Sequence, residues 1–191
     1  MRLFVALDLP DEVVAALSAW ASEAARPGLR ILPPSSYHVT LAFLGERPEG
    51  EADAIGAAVL AAAAAAPAPA SAAPPAFAPI APLSLAEPAW LGRRSVLAVD
   101  LRDPSGALAA LQRRISGALA ALGAYTPEER PFRPHVTLAR VRRGARPDPR
   151  RLPDAPHLQP FAATAVTLYR STLSPQGASY APLARAELPR P

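Results

Sequence analysis

The sequence predicts a bilobal α+β fold in which two pseudo-symmetric lobes surround a central cleft. Strand and helix patterns follow one another in a similar order in each half of the chain. The pentapeptide HVTLA also occurs once per half, at His38–Ala42 and at His135–Ala139. Such self-similarity is typical of an internal duplication. The chain has 191 residues, half of them hydrophobic, and we expect residues 1–191 to form one domain of two intertwined lobes.

The first half begins with a strand pattern, because RLFVALDL alternates large and small side chains. A helix pattern follows, with acidic residues in its first turn, apolar residues at helical spacing and Pro27-Gly28 at its end. The predicted elements of this half are a strand over 2–9, a helix over 10–28, a broken extended segment and strand over 29–46, a helix over 49–66 and a linker over 67–75.

The second half repeats this order. Its helix is well marked, with Leu108, Leu111 and Ile115 recurring at three- and four-residue steps. Proline interrupts the first strand pattern, which indicates an edge strand. The predicted elements are strands over 77–87 and 94–103, a helix over 104–123, a strand with the second HVTLA over 130–141, and strands over 161–173 and 179–188 joined by a hairpin turn.

The strand period decides which pentapeptide side chains face the cleft. Alternate residues share a face, so His38 and Thr40 point one way, and Phe43 faces the core on the other side. His135 and Thr137 share a face in the second copy in the same way. If a two-fold axis relates the lobes, the two histidine–threonine faces converge across the cleft.

Two facing imidazoles suit general acid–base catalysis, because the pKa of a histidine is ordinarily about 6.5. Threonine hydroxyls beside them can donate hydrogen bonds to a phosphate, and the arrangement needs no metal. A single strand histidine is more often structural, but two identical pentapeptides contain two of the three histidines of this chain. Metal binding by the pair is an alternative with few ligands, since no other histidine or acid stands beside either motif. His157 is expected in a surface loop.

HVTLAFLGE and RPFRPHVTLAR resemble the paired H-x-T motifs of the two-histidine (2H) phosphoesterase superfamily. Together with the opening MRLFVALDLP and the closing LYRSTLSPQGASYAPL, they are similar to bacterial and archaeal RNA 2′,3′-cyclic phosphodiesterases, also called 2′-5′ RNA ligases. The resemblance covers essentially the whole chain. It implies an antiparallel sheet backed by helices in each lobe, and hydrolysis of a 2′,3′-cyclic phosphate on RNA to a 2′-phosphate without metal or cofactor.

The resemblance implies a role for five residues. His38 and His135 match the catalytic histidines, Thr40 and Thr137 match their phosphate-binding partners, and Arg140 matches an arginine that contacts the phosphate. Formation of a 2′-phosphate breaks the bond to O3′, so the acid lies next to O3′; we assign His38 as the acid and His135 as the base. By strict alternation Arg140 faces away from His135, so a bend, a bulge or the length of its side chain must bring it to the cleft.

The expected partner is RNA with a 2′,3′-cyclic phosphate end, or a cyclic nucleotide. Eight arginines and one aspartate between Arg130 and Arg151 give that segment a net charge of +7, which suits an RNA backbone, although a solvated basic loop is the alternative. Trp90 or Phe132 is favoured for stacking on the terminal base over Tyr37 and Phe43.

Two further alternatives stay open: a non-catalytic protein that binds RNA ends or nucleotides, and 2′-5′ RNA ligation, which is the same chemistry in reverse. The absence of cysteine excludes disulfides and a thiol nucleophile. The N-terminus becomes acidic too early for a signal peptide, and Ala61–Ala66 is too short to cross a bilayer. We therefore expect a cytoplasmic monomer with no membrane contact and no obligate protein partner.

Overall fold

The computed structural model describes residues 1–64, 80–146, 152–175 and 177–189. The linker predicted over 67–75 lies outside these residues. The elements in chain order are β1 (Arg2–Asp8), α1 (Asp11–Glu23), β2 (Leu29–Ile31), β3 (Val39–Glu46), α2 (Ala52–Ala64), β4 (Ser84–Leu91), β5 (Val96–Arg102), α3 (Ala107–Ala121), β6 (His135–Val141), β7 (Ala165–Ser174) and β8 (Gly177–Glu187), with short 3-10 turns at Pro34–Ser36 and Glu49–Glu51.

The predicted α+β class is confirmed, and every strand pair in the described ranges is antiparallel. The strands form one sheet in the order β4-β5-β6-β3-β1-β7-β8, with β2 also paired to β6. The first-half strands β1 and β3 pair with the C-terminal hairpin β7–β8, and the other strands gather around β6. The two lobes are therefore two wings of a single curled sheet.

β4 differs most from its prediction, because it begins at Ser84 and runs on to Leu91 instead of ending at residue 87. The register between β4 and β5 shifts between Leu85 and Pro88, and such an irregularity accommodates a proline that cannot donate to the ladder. β4 is the outermost strand on its side, as the interrupting proline predicted.

The two wings meet at a local two-fold axis. Val39 of β3 pairs with Val136 of β6, and these are equivalent residues of the two HVTLA copies. An antiparallel pair that joins equivalent residues has its axis between them. On the outer sides, Leu7 of β1 pairs with Val39 as Val99 of β5 pairs with Val136.

The helices pack against the sheet, and two of the three cross from the wing of the preceding strand to the other wing. α1 follows β1 yet packs against β6, whereas α3 follows β5 yet packs against β3 and α2. α2 also covers β7 and β8. The exchange supports one domain of intertwined lobes over residues 1–191, which stays a prediction.

β1 shows how alternation divides core from cleft. Leu3, Val5 and Leu7 are fully buried in the hydrophobic core, where each side chain contributes about 1.5–3 kcal/mol. Phe4 and Ala6 are buried too, but they lie on the opposite face of the strand and outside that core. No helix in the described ranges is both long and apolar enough to cross a membrane.

Candidate active site

A β-bulge follows the histidine–threonine pair in the first motif. Ala6 and Val5 are neighbours on β1, but they pair with Thr40 and Ala42 of β3, so Leu41 is an extra residue. Leu41 and Ala42 are consequently both buried. A bulge shifts the phase of alternation, so the side chain after Ala42 turns back to the cleft.

That side chain is Phe43, and the prediction that it faces the core is wrong. It is 44% exposed and lines the cleft cavity with Thr40. Strict period-two alternation fails because of the extra Leu41.

The second motif carries the same bulge. Ala98 and Leu97 are neighbours on β5, but they pair with Thr137 and Ala139 of β6, so Leu138 is the extra residue. Arg140 follows with an exposed side chain that lines the cavity together with Thr137. The bulge therefore supplies the change of direction that Arg140 needed, and Arg140 occupies the position equivalent to Phe43.

His38 stands one residue before β3, inside a group of aromatic rings. Its ring centroid is 4.9 Å from that of Phe4 and 5.4 Å from that of Tyr180, which meets it edge-on. Burial of the imidazole lowers the pKa of His38 to about 4. A hydrogen bond with the backbone of Ser36 acts in the opposite direction, and the nearby His135 lowers the pKa further. In the free protein His38 is therefore neutral at neutral pH.

His135 has a more polar setting. Its Nδ1 lies 2.8 Å from the carbonyl oxygen of Arg133. A carbonyl can only accept, so Nδ1 carries the proton and Nε2 has a free lone pair in the neutral ring. Arg133 in turn pairs with Asp100, which lies opposite His135 on β5. His135 is not one of the residues that line the cavity, although it is close enough for its charge to affect His38.

The cavity has a volume of about 670 Å³, within the range of about 300–1,000 Å³ that is usual for small-ligand sites. One wall comes from β3, β1 and the β7–β8 hairpin, and the other from β2, β6 and the turn before β3. Its polar side chains are His38, Thr40, Thr137, Arg2, Arg30, Arg140, Ser36, Ser171, Ser174, Ser179 and Tyr180. No aspartate or glutamate of the described ranges is among its lining residues, so the cavity suits an anion.

The favoured stacking residues are not in this cavity. Trp90 and Phe132 are partly buried against the hydrophobic core and do not line it, so the cavity gives that expectation no support. Tyr37 is buried, and its hydroxyl donates to the carbonyl of Leu32 at 3.2 Å. His157 is exposed in a loop, as expected.

The basic segment contributes one arginine to the cavity within the part of the chain that the structure describes, namely Arg140. Arg150 and Arg151 lie outside that part. The cavity takes its other positive charges from Arg2 and Arg30, at the start of β1 and in β2. Within the described ranges, no three histidine, aspartate or glutamate side chains come together as a metal site.

Comparison with known proteins decides the family. A sequence model of the 2′-5′ RNA ligase superfamily matches residues 9–172, which include both motifs. This chain belongs to that superfamily. The RNA 2′,3′-cyclic phosphodiesterase of Geobacillus stearothermophilus is 30% identical over 176 residues, 89% of this chain, and the chain spans about half (52%) of that protein's length. The protein of the same name from Escherichia coli K12 is 30% identical over 189 residues, covering 96% of this chain and 94% of that one.

Solved structures of similar proteins share the fold along nearly the whole chain. The protein TT0787 of Thermus thermophilus superposes with a TM-score of 0.79 at 28% identity, covering 98% of both chains. LigT of Escherichia coli in complex with 3′-AMP gives a TM-score of 0.73 at 26% identity, covering 98% of this chain and 97% of that one. The superfamily resemblance drawn from the two motifs is thus confirmed.

Sequence reasoning missed the aromatic residues around His38. Phe4 stacks on Tyr169 at 5.3 Å, and Tyr180 meets Phe4 edge-on at 4.9 Å. The two tyrosines come from β7 and β8, far along the chain from Phe4. Alternation in β1 can put Phe4 on the face opposite the core leucines, but only the pairing of β1 with β7 reveals its neighbours.

Proposed function

We propose that this protein hydrolyses the 2′,3′-cyclic phosphate of an RNA end or nucleotide to a 2′-phosphate, by metal-independent general acid–base catalysis with His38 and His135. One observation carries the proposal: the two motifs are two-fold mates about Val39 and Val136. That symmetry brings His38, Thr40 and Thr137 to one cavity, which no aspartate or glutamate of the described ranges lines. The names of the relatives support the same reaction.

The phosphate fits between the two motifs. Thr40 and Thr137 line the cavity from either side of the axis, and Arg140 adds a fixed positive charge. Hydroxyl and guanidinium donors placed in advance stabilise the extra negative charge of the transition state. Phe43 is in the position equivalent to Arg140, and the base of the same nucleotide stacks on the face of its ring that Arg2 does not cover.

The histidines divide the proton transfers. Water attacks phosphorus as Nε2 of His135 takes its proton, the P–O3′ bond breaks, and protonated His38 gives a proton to O3′. His38 is neutral in the free protein, and the negative charge of a bound cyclic phosphate raises its pKa again. Substrate binding therefore favours the protonated form of the acid.

Product analysis tests the proposal. Adenosine 2′,3′-cyclic phosphate incubated with the protein and excess EDTA should give adenosine 2′-phosphate, as followed by chromatography against both monophosphate standards. A 3′-phosphate product would contradict the assignment of O3′ as leaving group. Absence of turnover on this substrate and on a cyclic-phosphate oligonucleotide would leave the non-catalytic binding protein as the better account.

The proposal extends to the setting of the reaction. The partner is RNA or a nucleotide that carries the cyclic phosphate, and the protein acts as a monomer in the cytoplasm. In 2′-5′ ligation a 5′-hydroxyl takes the place of water: its oxygen bonds to phosphorus, its proton goes to the base, the P–O3′ bond breaks and O3′ receives a proton from the acid. The product assay with an added 5′-hydroxyl oligonucleotide measures it.

A further inference from the structure

The cavity extends beyond the phosphate site. Past Phe43 its wall is built by Arg2 at the start of β1 and by the ends of β7 and β8. Arg2 pairs with Ser171 of β7, and Ser171 pairs with Tyr180 of β8, so the three side chains form one row across the wall. The row is polar and lies next to the place that the proposed function gives to the base.

Arg2 is held against Phe43. The central carbon of its guanidinium lies 4.7 Å from the centroid of the Phe43 ring, a cation–π contact. The guanidinium lies over the ring, and because Arg2 also lines the cavity, N–H donors that the ring does not use can reach a ligand there. Glu46, which faces Arg2 in the strand register, lies 3.8 Å from the N-terminal amine.

The geometry of a nucleotide connects these two observations. In ribose the base and C5′ project from one face of the ring, while O2′ and O3′ project from the other. A nucleotide with its cyclic phosphate at Arg140 and its base on Phe43 therefore has C5′ on the same side as the base. That side of the cavity carries Arg2.

We propose that Arg2 binds a phosphate group attached to O5′ of the terminal nucleotide, an inference that rests on the proposed function. The guanidinium fork suits the oxygens of a phosphate monoester or diester. Such a group is the internucleotide phosphodiester of RNA, or the 5′-phosphate of a free nucleotide. Arg2 thereby makes the site selective for a substrate with a second phosphate.

The subsite is tested by steady-state kinetics of three substrates with the unaltered protein and with three variants, Arg2→Gln, Arg2→Lys and Arg113→Gln. The substrates are adenosine 2′,3′-cyclic phosphate, its 5′-phosphorylated form and the dinucleotide ApA ending in a cyclic phosphate. For the unaltered protein, kcat/KM should be about tenfold higher for at least one of the two substrates that carry a 5′-linked phosphate, the size expected for a hydrogen bond to a charged group. Preference for the dinucleotide identifies RNA as the source, and preference for the monophosphate identifies a nucleotide.

In Arg2→Gln the ratio of kcat/KM with the 5′-linked phosphate to kcat/KM without it should fall to near one. Arg2→Lys keeps the charge and should retain part of the preference. Arg113→Gln is the matched control, because Arg113 is exposed on α3 and does not line the cavity. A preference near one in the unaltered protein would overturn the subsite. So would Arg2→Gln lowering all three rates alike, since Arg2 would then only hold Phe43 in place. No turnover on any substrate would contradict the proposed function instead.

Discussion

The two HVTLA copies share a backbone and differ in their surroundings. Both have a buried valine at the two-fold axis and a bulge after the threonine. The first copy ends in Phe43 and places His38 among aromatic rings, whereas the second ends in Arg140 and places His135 beside a carbonyl oxygen. Duplication thus explains why the two halves of the site share one backbone geometry. Divergence at equivalent positions makes the two halves chemically different, which gives the site a direction.

Direction matters for the proposed function, because a nucleotide substrate and its hydrolysis are not symmetric. A nucleotide has a phosphate on one side and a base on the other, and cleavage needs one acid and one base. Phe43 and Arg140 match the first asymmetry. With the proposed roles, the aromatic surroundings of His38 and the hydrogen-bonded Nδ1 of His135 match the second.

Removing the charge of Arg140 should have the largest effect of the substitutions outside the histidines. Arg140→Gln should lower kcat/KM for adenosine 2′,3′-cyclic phosphate by about 10²–10³-fold, as loss of a transition-state donor does. Steady-state kinetics of Arg142→Gln give the control, because Arg142 is exposed and outside the cavity. Equal losses of kcat/KM in the two variants would mean that the rate depends on the net positive charge of this segment and not on the position of Arg140 after the bulge.

Removing the ring of Phe43 should have a smaller effect of a different kind. Phe43→Ala should raise KM about tenfold and change kcat less, because base stacking on an aromatic ring is worth about 1–3 kcal/mol. Leu122→Ala, at an exposed apolar residue outside the cavity, is the control. An unchanged KM would show that the base lies elsewhere.

The last comparison concerns stability. Asp8 and Asp100 are equivalent residues, because each follows the residue that pairs with the valine of its motif. Asp8 accepts hydrogen bonds from Thr167 and Tyr169 and pairs with Arg185. Asp100 pairs with one half-exposed arginine. In urea unfolding, Asp8→Asn should lower the free energy of unfolding by about 1.5–3 kcal/mol, and Asp100→Asn by about 0–1 kcal/mol. The reverse order would contradict the view that the first wing holds its aspartate in a tighter network.

Much of the fold could be predicted because its patterns are local. The apolar steps of α3 and the alternation of β1 are properties of short segments, and the repeat identified Thr40 and Thr137 as equivalent. The bulges could not be predicted this way, since Leu41 and Leu138 are extra only relative to their partner strands. That is why alternation alone puts Phe43 in the core and turns Arg140 away from the cleft.

The central claim is that His38 and His135 act on the same phosphate as acid and base. It is tested most directly with adenosine 2′,3′-cyclic phosphate in which sulfur replaces O3′, because a thiolate leaves without help from an acid: thiols have pKa values of about 8.5. His38→Ala and His135→Ala should each lose about 10²–10⁴-fold on the oxygen substrate. On the sulfur substrate His38→Ala should recover most of its rate and His135→Ala should not. Recovery by His135→Ala alone, or equal behaviour of both variants, would contradict the account.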